Sequence, residues 1–262
     1  MASPLSTKLY ISHTTEPDCS LVGVLEQLSP SSSTKGRKIA LILHGTMGHK
    51  DYLFQKRLAL KLPLDSFRFD FRGNHESGGR WRQGALEDDL VDLSIVVEFL
   101  KATYGYVIHL VRILGTTNAY SPVAKVWKAS FDDHGYHEWT VSVARKQVTV
   151  RIFPEDLEQF INWNASIVKN RFPPTVDVLT VHGLADTIVP PYDAVIYTSI
   201  LSNRTPGTHT LNFIEDADHN FTGRQDEVVS AILGWWAARE RGELQTGVWV
   251  ETEHNGGPKA KF

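Results

Sequence analysis

The sequence contains a single cysteine, Cys19, so the chain cannot form an internal disulfide. It lacks an apolar run of signal-peptide length near its start. It also has no stretch that approaches the roughly 18 apolar residues of a membrane-spanning helix. These absences predict a soluble, cytoplasmic protein with reduced cysteine and no membrane span.

The sequence also lacks a large excess of charge of either sign, because it contains 27 Lys and Arg residues and 30 Asp and Glu residues. The formal net charge of -3 offers no basic field, so no nucleic-acid partner is expected. Hydrophobic residues make up 42% of the chain and charged residues 22%, which is typical of a globular protein. At 262 residues the chain is long enough for one large domain over residues 1–262. The oligomeric state stays open.

Apolar runs indicate where the strands lie. Residues 38–43 (KIALIL) form a continuous apolar run, which is typical of a strand buried on both faces of a parallel sheet. Residues 106–111 and 175–181 are similar. Shorter or alternating patterns predict further strands at residues 8–12, 21–27, 66–70 and 208–214.

Two amphipathic helices are predicted, over residues 85–104 and 227–239. In the first, apolar residues recur at spacings of three and four and predict one buried stripe: Leu86, Leu90, Leu93, Val97 and Leu100. Strands that alternate with helices at this spacing predict an α/β fold with a mostly parallel, doubly wound sheet.

A glycine-containing segment, His44-Gly45-Thr46-Met47-Gly48, directly follows the first apolar run. Glycines let the backbone turn sharply and expose amide N–H groups, as an oxyanion hole requires. An ordinary tight turn between a strand and a helix explains the same residues equally well.

A second polar segment, residues 70–78 (DFRGNHESG), follows the next strand. A rigid polar loop of this kind is more often structural than catalytic. Ser77 is therefore a poor candidate for a nucleophile.

Two further segments place an acid and a histidine beyond the ends of late strands. Asp186 lies in the segment HGLADTIVP and His219 in DADHNF, 33 residues later. That interval holds one helix and one strand, and the order of acid then histidine suits the last two members of a catalytic triad. A lone histidine is usually structural, and Asp216 and Asp218 are alternative acids beside His219.

Taken together and in order, these four segments resemble the α/β-hydrolase superfamily, and most closely its serine aminopeptidase and small esterase branch. The resemblance covers about residues 38–111 and 172–240. It implies that Asp186 orients His219, that His219 is the general base, and that the amides at Thr46 and Gly45 form the oxyanion hole. It further implies a small-molecule acyl substrate and a reaction without a cofactor.

The nucleophile is where the sequence departs from this family. No G-x-S-x-G motif occurs in the 262 residues. The nearest match is Gly115-Thr116-Thr117-Asn118-Ala119, with Thr117 in the nucleophile's place. The β-branched methyl of threonine crowds a strained turn, and Pro122 falls where the following helix should propagate.

No apolar strand follows residue 112 before residue 133, and only a short helix is indicated around residues 123–129. Compared with the family pattern, about 25 to 30 residues are therefore expected to be absent, which a deletion or a splice variant would explain. Three interpretations stay open: an acyl-transferring hydrolase, a catalytically inactive binding protein of the same fold, and a truncated product of little stability.

Residues 130–165 are predicted to form a helical lid, with a helix over 154–162 that starts at a proline followed by two acids. Residues 251–262 are polar and predicted to be a flexible tail. His134 and His137 lack cysteine or carboxylate partners at ligand spacing, so no metal site is predicted.

Overall fold

The computed structural model describes residues 3–112, 121–163, 171–251 and 259–260. The chain divides into two compact units, unit 1 over residues 1–163 and unit 2 over residues 164–262. The prediction of a single domain over residues 1–262 therefore stays a prediction. In the described part of the chain, every helix is too short or too polar to cross a membrane.

A five-stranded sheet forms the centre of unit 1 in the described residues. In sheet order the strands are β1 (Leu5–Ser12), β2 (Ser20–Gln27), β4 (Asp65–Phe69), β3 (Lys38–Ile42) and β5 (Val107–Arg112). Strand β3 pairs in parallel with β4 and with β5, whereas β1 and β2 join the sheet antiparallel. All five strands lie where the apolar patterns predicted them, within three residues at each end.

The burial of β3 explains why its sequence is apolar without a break. After Lys38, its remaining residues are completely buried, because neighbouring strands and layers cover both faces. Ile39 and Leu41 pack in a core with large aromatic side chains such as Phe67, Phe69 and Tyr106. Parallel pairing of β3 and β4 brings the loops after both strands to the same edge of the sheet.

Helix α2 (Leu86–Tyr104) matches its predicted bounds, and part of the predicted stripe is confirmed, because Leu100 is fully buried and Leu93 and Val97 pack against the core. Its buried residues are Asp92, Val96 and Leu100, while Leu90 is 57% exposed. Leu90 is therefore outside the buried face, whereas Asp92, which was not predicted to be buried, accepts a hydrogen bond from Arg72 Nε at 2.8 Å.

Unit 1 contains three more described helices: α1 (Gln55–Lys61), α3 (Ser121–His134) and α4 (Pro154–Ile161). Helix α1 was not predicted. In the described residues helix α3 spans Ser121–His134, so Pro122 lies in the first turn of this range, where a proline is tolerated. Among the described residues that follow β5, α3 precedes any further strand, in agreement with the strandless stretch of the sequence.

The segment expected to be a helical lid is only partly helical. Helix α4 is present, but strands β6 (His137–Val143) and β7 (Lys146–Ile152) form an antiparallel hairpin before it. Ala144 and Arg145 join the strands with φ angles of 48° and 67°. This turn was not predicted, because neither residue is the glycine or asparagine that usually accepts a positive φ.

Unit 2 carries its own four-stranded sheet in the described residues. The strands are β8 (Val178–Gly183), β9 (His209–Ile214), β10 (Gly247–Glu251) and β11 (Lys259–Ala260), and the helices are α5 (Pro191–Leu201) and α6 (Gln225–Glu240). Strand β9 lies between β8 and β10, parallel to both. Strands β10 and β11 pair antiparallel, which differs from the free tail predicted over residues 251–262.

Candidate active site

Two neighbouring loops of unit 2 hold the predicted acid and histidine. Strands β8 and β9 are parallel and in register, with Gly183 opposite Ile214 at their carboxyl ends. The loop with Asp186 leaves β8 and the loop with His219 leaves β9, so the two loops start side by side. Gly183 is required there, because a Cβ at this position would lie 2.2 Å from the Ala217 carbonyl oxygen.

Asp186 and His219 are directly hydrogen-bonded. His219 Nδ1 lies 2.9 Å from Asp186 Oδ2. The other carboxylate oxygen, Oδ1, accepts the backbone N–H groups of Ile188 at 2.9 Å and Val189 at 2.8 Å. Because a carboxylate only accepts, Nδ1 of His219 carries the proton and Nε2 is left as the basic nitrogen of the neutral ring.

Burial differs between the two partners in a way that suits proton transfer. The Asp186 side chain is 5% exposed, whereas the His219 side chain is 30% exposed. The acid is therefore held in place by protein groups, while the imidazole remains open to a small molecule.

His182 supports the same loop, although its position at the end of β8 had suggested no role. Its Nε2 lies 2.9 Å from the carbonyl oxygen of Val189, so an N–H donated there closes the loop of residues 182–189. The same nitrogen lies 3.6 Å from Asp186 Oδ2. The proximity of two histidines to one carboxylate oxygen is a feature that the spacing of the motifs did not reveal.

The alternative acids occupy other positions. Asp218 Oδ1 accepts the N–H groups of Asn220 at 3.0 Å and Thr222 at 2.8 Å, and the bond from Thr222 lowers the pKa of Asp218. Asp216 has a side chain that is 79% exposed and faces Arg224 at 3.9 Å. The acid in contact with His219 is therefore Asp186.

In unit 1, residues 44–48 form a tight turn after β3. The Gly45 carbonyl accepts the N–H of Gly48 at 3.0 Å and the Nδ1–H of His44 at 2.7 Å. Across the planar trans peptide between Gly45 and Thr46, the N–H of Thr46 points away from the carbonyl oxygen of Gly45. The Thr46 amide therefore points in the direction opposite to the two groups that donate to that oxygen. Thr46 is exposed, and the amides of Thr46 and Met47 have no acceptor among the described residues.

The polar loop after β4 is built as a structural loop. Ser77 Oγ donates to the Asp70 carbonyl at 2.5 Å and accepts the Val22 N–H at 2.8 Å. The Phe71 N–H donates to His44 Nε2 at 3.0 Å, which links this loop to the turn of residues 44–48. Gly73 (φ 66°) is required, because a Cβ there would lie 1.9 Å from the Trp81 backbone nitrogen.

Thr117, the candidate nucleophile, lies outside the described residues. The Asp186–His219 pair lies in unit 2, beyond the ends of β8 and β9, and the turn of residues 44–48 lies in unit 1, beyond the end of β3. The catalytic roles of these residues stay predictions.

One group of described side chains could in principle bind a metal ion: Asp70, His75 and Glu76, whose ligand atoms lie within 4.8 Å of one another. The ammonium of Lys50 donates to both carboxylates, to Asp70 Oδ2 at 3.0 Å and to Glu76 Oε2. A lysine therefore already supplies the positive charge that a metal ion would bring to these oxygens.

A groove of about 550 Å³ opens on unit 1 between α2 and β5, lined mainly by apolar side chains such as Leu93, Val97 and Ile108. The predicted site residues are not among those that line it. Its lining offers no acid or histidine, and its one hydroxyl, that of Tyr106, donates to Asp65 at 2.6 Å, so the hydrogen-bonded pair in unit 2 is the better candidate for a reactive centre.

Comparison with family models gives no match for this chain. A curated relative, the uncharacterized protein YDL057W of Saccharomyces cerevisiae, is 26% identical over 234 residues, which cover 72% of this chain and 70% of that protein.

Solved structures resemble the chain along most of its length. Est1E from Butyrivibrio proteoclasticus, solved with ferulic acid, is 15% identical, covers 89% of this chain and 99% of its own, and gives a TM-score of 0.65. The Pyrococcus furiosus esterase Pf2001 is 15% identical, with 90% of each chain covered and a TM-score of 0.58. XC6422 from Xanthomonas campestris, an α/β serine hydrolase without a lid, is 18% identical, with coverages of 90% and 94% and a TM-score of 0.57. The chain therefore has the predicted α/β-hydrolase fold.

Proposed function

We propose that the protein is a hydrolase that cleaves a small ester, thioester or amide through an acyl-enzyme. The observation that carries the proposal is the pair formed by Asp186 and His219, at the ends of adjacent parallel strands. A buried carboxylate that accepts two backbone amides and an imidazole fixes the tautomer and orientation of that imidazole. The esterases among the structural neighbours favour the same class of reaction.

In this mechanism His219 Nε2 removes the proton of the nucleophile as it attacks the acyl carbon, and then gives that proton to the leaving group as the bond to it breaks. Water, deprotonated by the same nitrogen, then attacks the acyl-enzyme, which releases the carboxylic acid and returns the proton to the nucleophile. Asp186 stabilises the imidazolium that forms between the two steps. The amides at Thr46 and Gly45 stabilise the oxyanion, and Thr117 is the candidate nucleophile. The serine aminopeptidase and small esterase branch, the cytoplasmic location and a small acyl substrate all belong to this proposal.

A second candidate is a catalytically inactive protein of the same fold that binds a small molecule. The absence of G-x-S-x-G from the sequence favours it, because threonine is a poorer fit to a strained nucleophile turn. This candidate predicts that a fluorophosphonate will not label the protein covalently.

Hydrolysis of p-nitrophenyl acetate and butyrate by the purified full chain tests the proposal. The variants are Thr117→Ala and His219→Ala, with His134→Ala, an exposed histidine of α3, as the matched control. We expect activity in the wild type and the control, and a loss of about 10²–10⁴-fold in His219→Ala.

The two variants together identify the nucleophile. An equal loss in Thr117→Ala and His219→Ala establishes a threonine-based triad. A loss in His219→Ala alone points to another nucleophile. Folded wild-type protein with neither turnover nor fluorophosphonate labelling contradicts the hydrolase proposal and supports the binding protein.

A further inference from the structure

Lys50 is the most deeply buried lysine of the described residues, with 1% of its surface exposed. It follows the turn of residues 44–48 by two positions. Its backbone N–H donates to Asp70 Oδ1 at 2.5 Å, and its ammonium donates to Asp70 Oδ2 at 3.0 Å and to Glu76 Oε2. Lys50 is thus hydrogen-bonded to the loop after β4 through both its main chain and its side chain.

Two carboxylates, those of Asp70 and Glu76, accept hydrogen bonds from the buried ammonium of Lys50. Asp70 is completely buried, and Glu76 also accepts the Lys8 ammonium at 2.6 Å. The hydrogen bonds from Lys50 and Lys8 lower the pKa of Glu76 to about 2. A buried ammonium is costly to desolvate unless hydrogen-bonded carboxylates surround it, so this arrangement needs all of its members.

The turn is consequently held on both sides. His44 is linked to the loop after β4 by the Phe71 N–H at 3.0 Å, and Lys50 is linked to the same loop through Asp70. The residues between His44 and Lys50 include Thr46, which is exposed, and Met47, which is half-buried. The backbone amides of both have no acceptor among the described residues. Met47 has a φ of 51°, a conformation that a methionine rarely adopts without outside support.

We propose that Lys50 is a positioning residue, which holds residues 44–48 through its bonds to Asp70 and Glu76 and thereby aims the Thr46 amide at the substrate oxyanion. The inference rests on the proposed hydrolase function. It assigns Lys50 no contact with the substrate. A donor that must be in place before the oxyanion forms contributes to kcat more than to KM, because the bond is made in the transition state.

Two variants remove the side-chain link. Lys50→Met leaves the buried Asp70 carboxylate without its ammonium, which threatens folding, whereas Glu76 keeps the ammonium of Lys8. In Lys50→Met/Asp70→Asn, the amide oxygen still accepts the backbone N–H of residue 50 while the unpaired buried charge is removed. The matched control is Tyr106→Phe, which deletes a 2.6 Å hydrogen bond to the buried Asp65 at the opposite end of β4.

The first measurement is hydrogen exchange of backbone amides in the full chain. The reporters are the N–H groups of Gly48 and Phe71, which are hydrogen-bonded within the anchored region. We expect exchange at these amides to be at least about tenfold faster in the double variant, with β5 and α2 unchanged. In Tyr106→Phe the two reporters should exchange as in the wild type.

The second measurement is hydrolysis of p-nitrophenyl butyrate. We expect kcat of the double variant to fall by about 10–100-fold with KM within threefold of the wild type, less than the loss on deleting an oxyanion donor outright. A selective increase in exchange with kcat unchanged would overturn the proposal, as would faster exchange spread evenly over unit 1. If the wild type itself is inactive, the hydrolase function fails, and exchange at Gly48 and Phe71 still decides whether Lys50 holds the turn.

Discussion

The two compact units differ in how much charge they bury. Among the described residues, the buried Asp, Glu, Lys and Arg side chains of unit 1 are Glu26, Lys50, Asp65, Arg68, Asp70, Arg72, Asp92 and Asp156. In the described part of unit 2, the only such side chain is Asp186. In unit 1 most of these charges pair with one another, whereas Asp186 is bonded to backbone amides and to the partly exposed His219.

This difference separates two uses of a buried carboxylate. Where an acid is closed off by an arginine or lysine, as in Asp92 with Arg72, it joins elements of the fold and has no free face for chemistry. Where the partner is a histidine that remains accessible, the acid orients a group that can exchange a proton. The contrast supports a structural role for the charges of unit 1 and a catalytic role for Asp186.

Titration differs between the units as well. In unit 1, burial and the nearby Asp92 and Asp88 raise the pKa of Asp89 to about 7. In unit 2, burial, assisted by the nearby Arg204, lowers the pKa of His209 to about 4. Both groups favour their neutral forms, so the stability of unit 1 should decline as the pH rises and that of unit 2 as the pH falls.

The largest expected effect is on the structural charges of unit 1. Asp92→Ala leaves the Arg72 guanidinium without its main partner in a buried position, and we expect the free energy of unfolding to fall by about 3–5 kcal/mol. Urea unfolding measures it. The control, Lys101→Met, removes an exposed pair with Glu98 and should change the stability by less than about 1 kcal/mol. Equal losses of unfolding free energy in both variants would contradict the expectation that the buried ion pair contributes more to stability than the exposed one.

The next effect concerns Asp89. Its pKa is higher in the folded protein than in the unfolded chain, so its ionisation opposes folding as the pH rises from about 4 to about 7. Between pH 5 and pH 8 we expect this residue to remove about 2–3 kcal/mol of stability. Asp89→Asn should lack that decline and exceed the wild type in stability at pH 8, while Glu98→Gln on the exposed side of α2 should follow the wild type. If the unfolding free energies of the wild type and of Asp89→Asn changed with pH in parallel, the predicted role of Asp89 would be contradicted.

The smallest effect concerns His209, completely buried with Nε2 3.0 Å from Thr180 Oγ1. Its pKa is lower in the folded protein, so its contribution is present above about pH 6.5 and is lost as the pH falls towards 4. We expect a loss of about 2 kcal/mol between pH 7.5 and pH 5. In His209→Gln, which keeps a polar atom near Thr180, this loss should disappear, whereas His134→Gln at an exposed position should retain it. A profile of His209→Gln identical to the wild type would show that another group governs acid sensitivity.

Much of the fold could be predicted because its central strands are buried on both faces and therefore apolar without a break. Residues 38–43 are the clearest case, and the partner loops of β8 and β9 followed from the order of the strands. On α2 the predicted stripe was right for Leu93, Val97 and Leu100, but the burial of Asp92 could not be predicted, because it pairs with Arg72, 20 positions away in another loop. The hairpin of β6 and β7 was missed because Ala144 and Arg145 adopt a turn conformation that their side chains do not favour.

In the candidate site, too, some residues could be predicted from the sequence and others could not. Asp186 and His219 were recognisable because each belongs to a motif that follows a strand. Lys50 was not, since a lysine after a turn resembles an ordinary solvent-exposed charge, and its partners Asp70 and Glu76 lie in another loop. The role of His182 was hidden for a similar reason, because its bond to the Val189 carbonyl is visible only in the folded loop.

The central claim is that Asp186 orients a catalytic histidine, and Asp186→Asn tests it most directly. The amide oxygen can still accept the N–H groups of Ile188 and Val189, but the NH₂ group opposes His219 Nδ1–H and favours the wrong tautomer. We predict that kcat for p-nitrophenyl butyrate falls by about 10⁴-fold, with unfolding free energy within about 2 kcal/mol of the wild type and with full activity in Asp216→Asn. A folded Asp186→Asn protein as active as the wild type, or a wild type without hydrolysis, would contradict the claim.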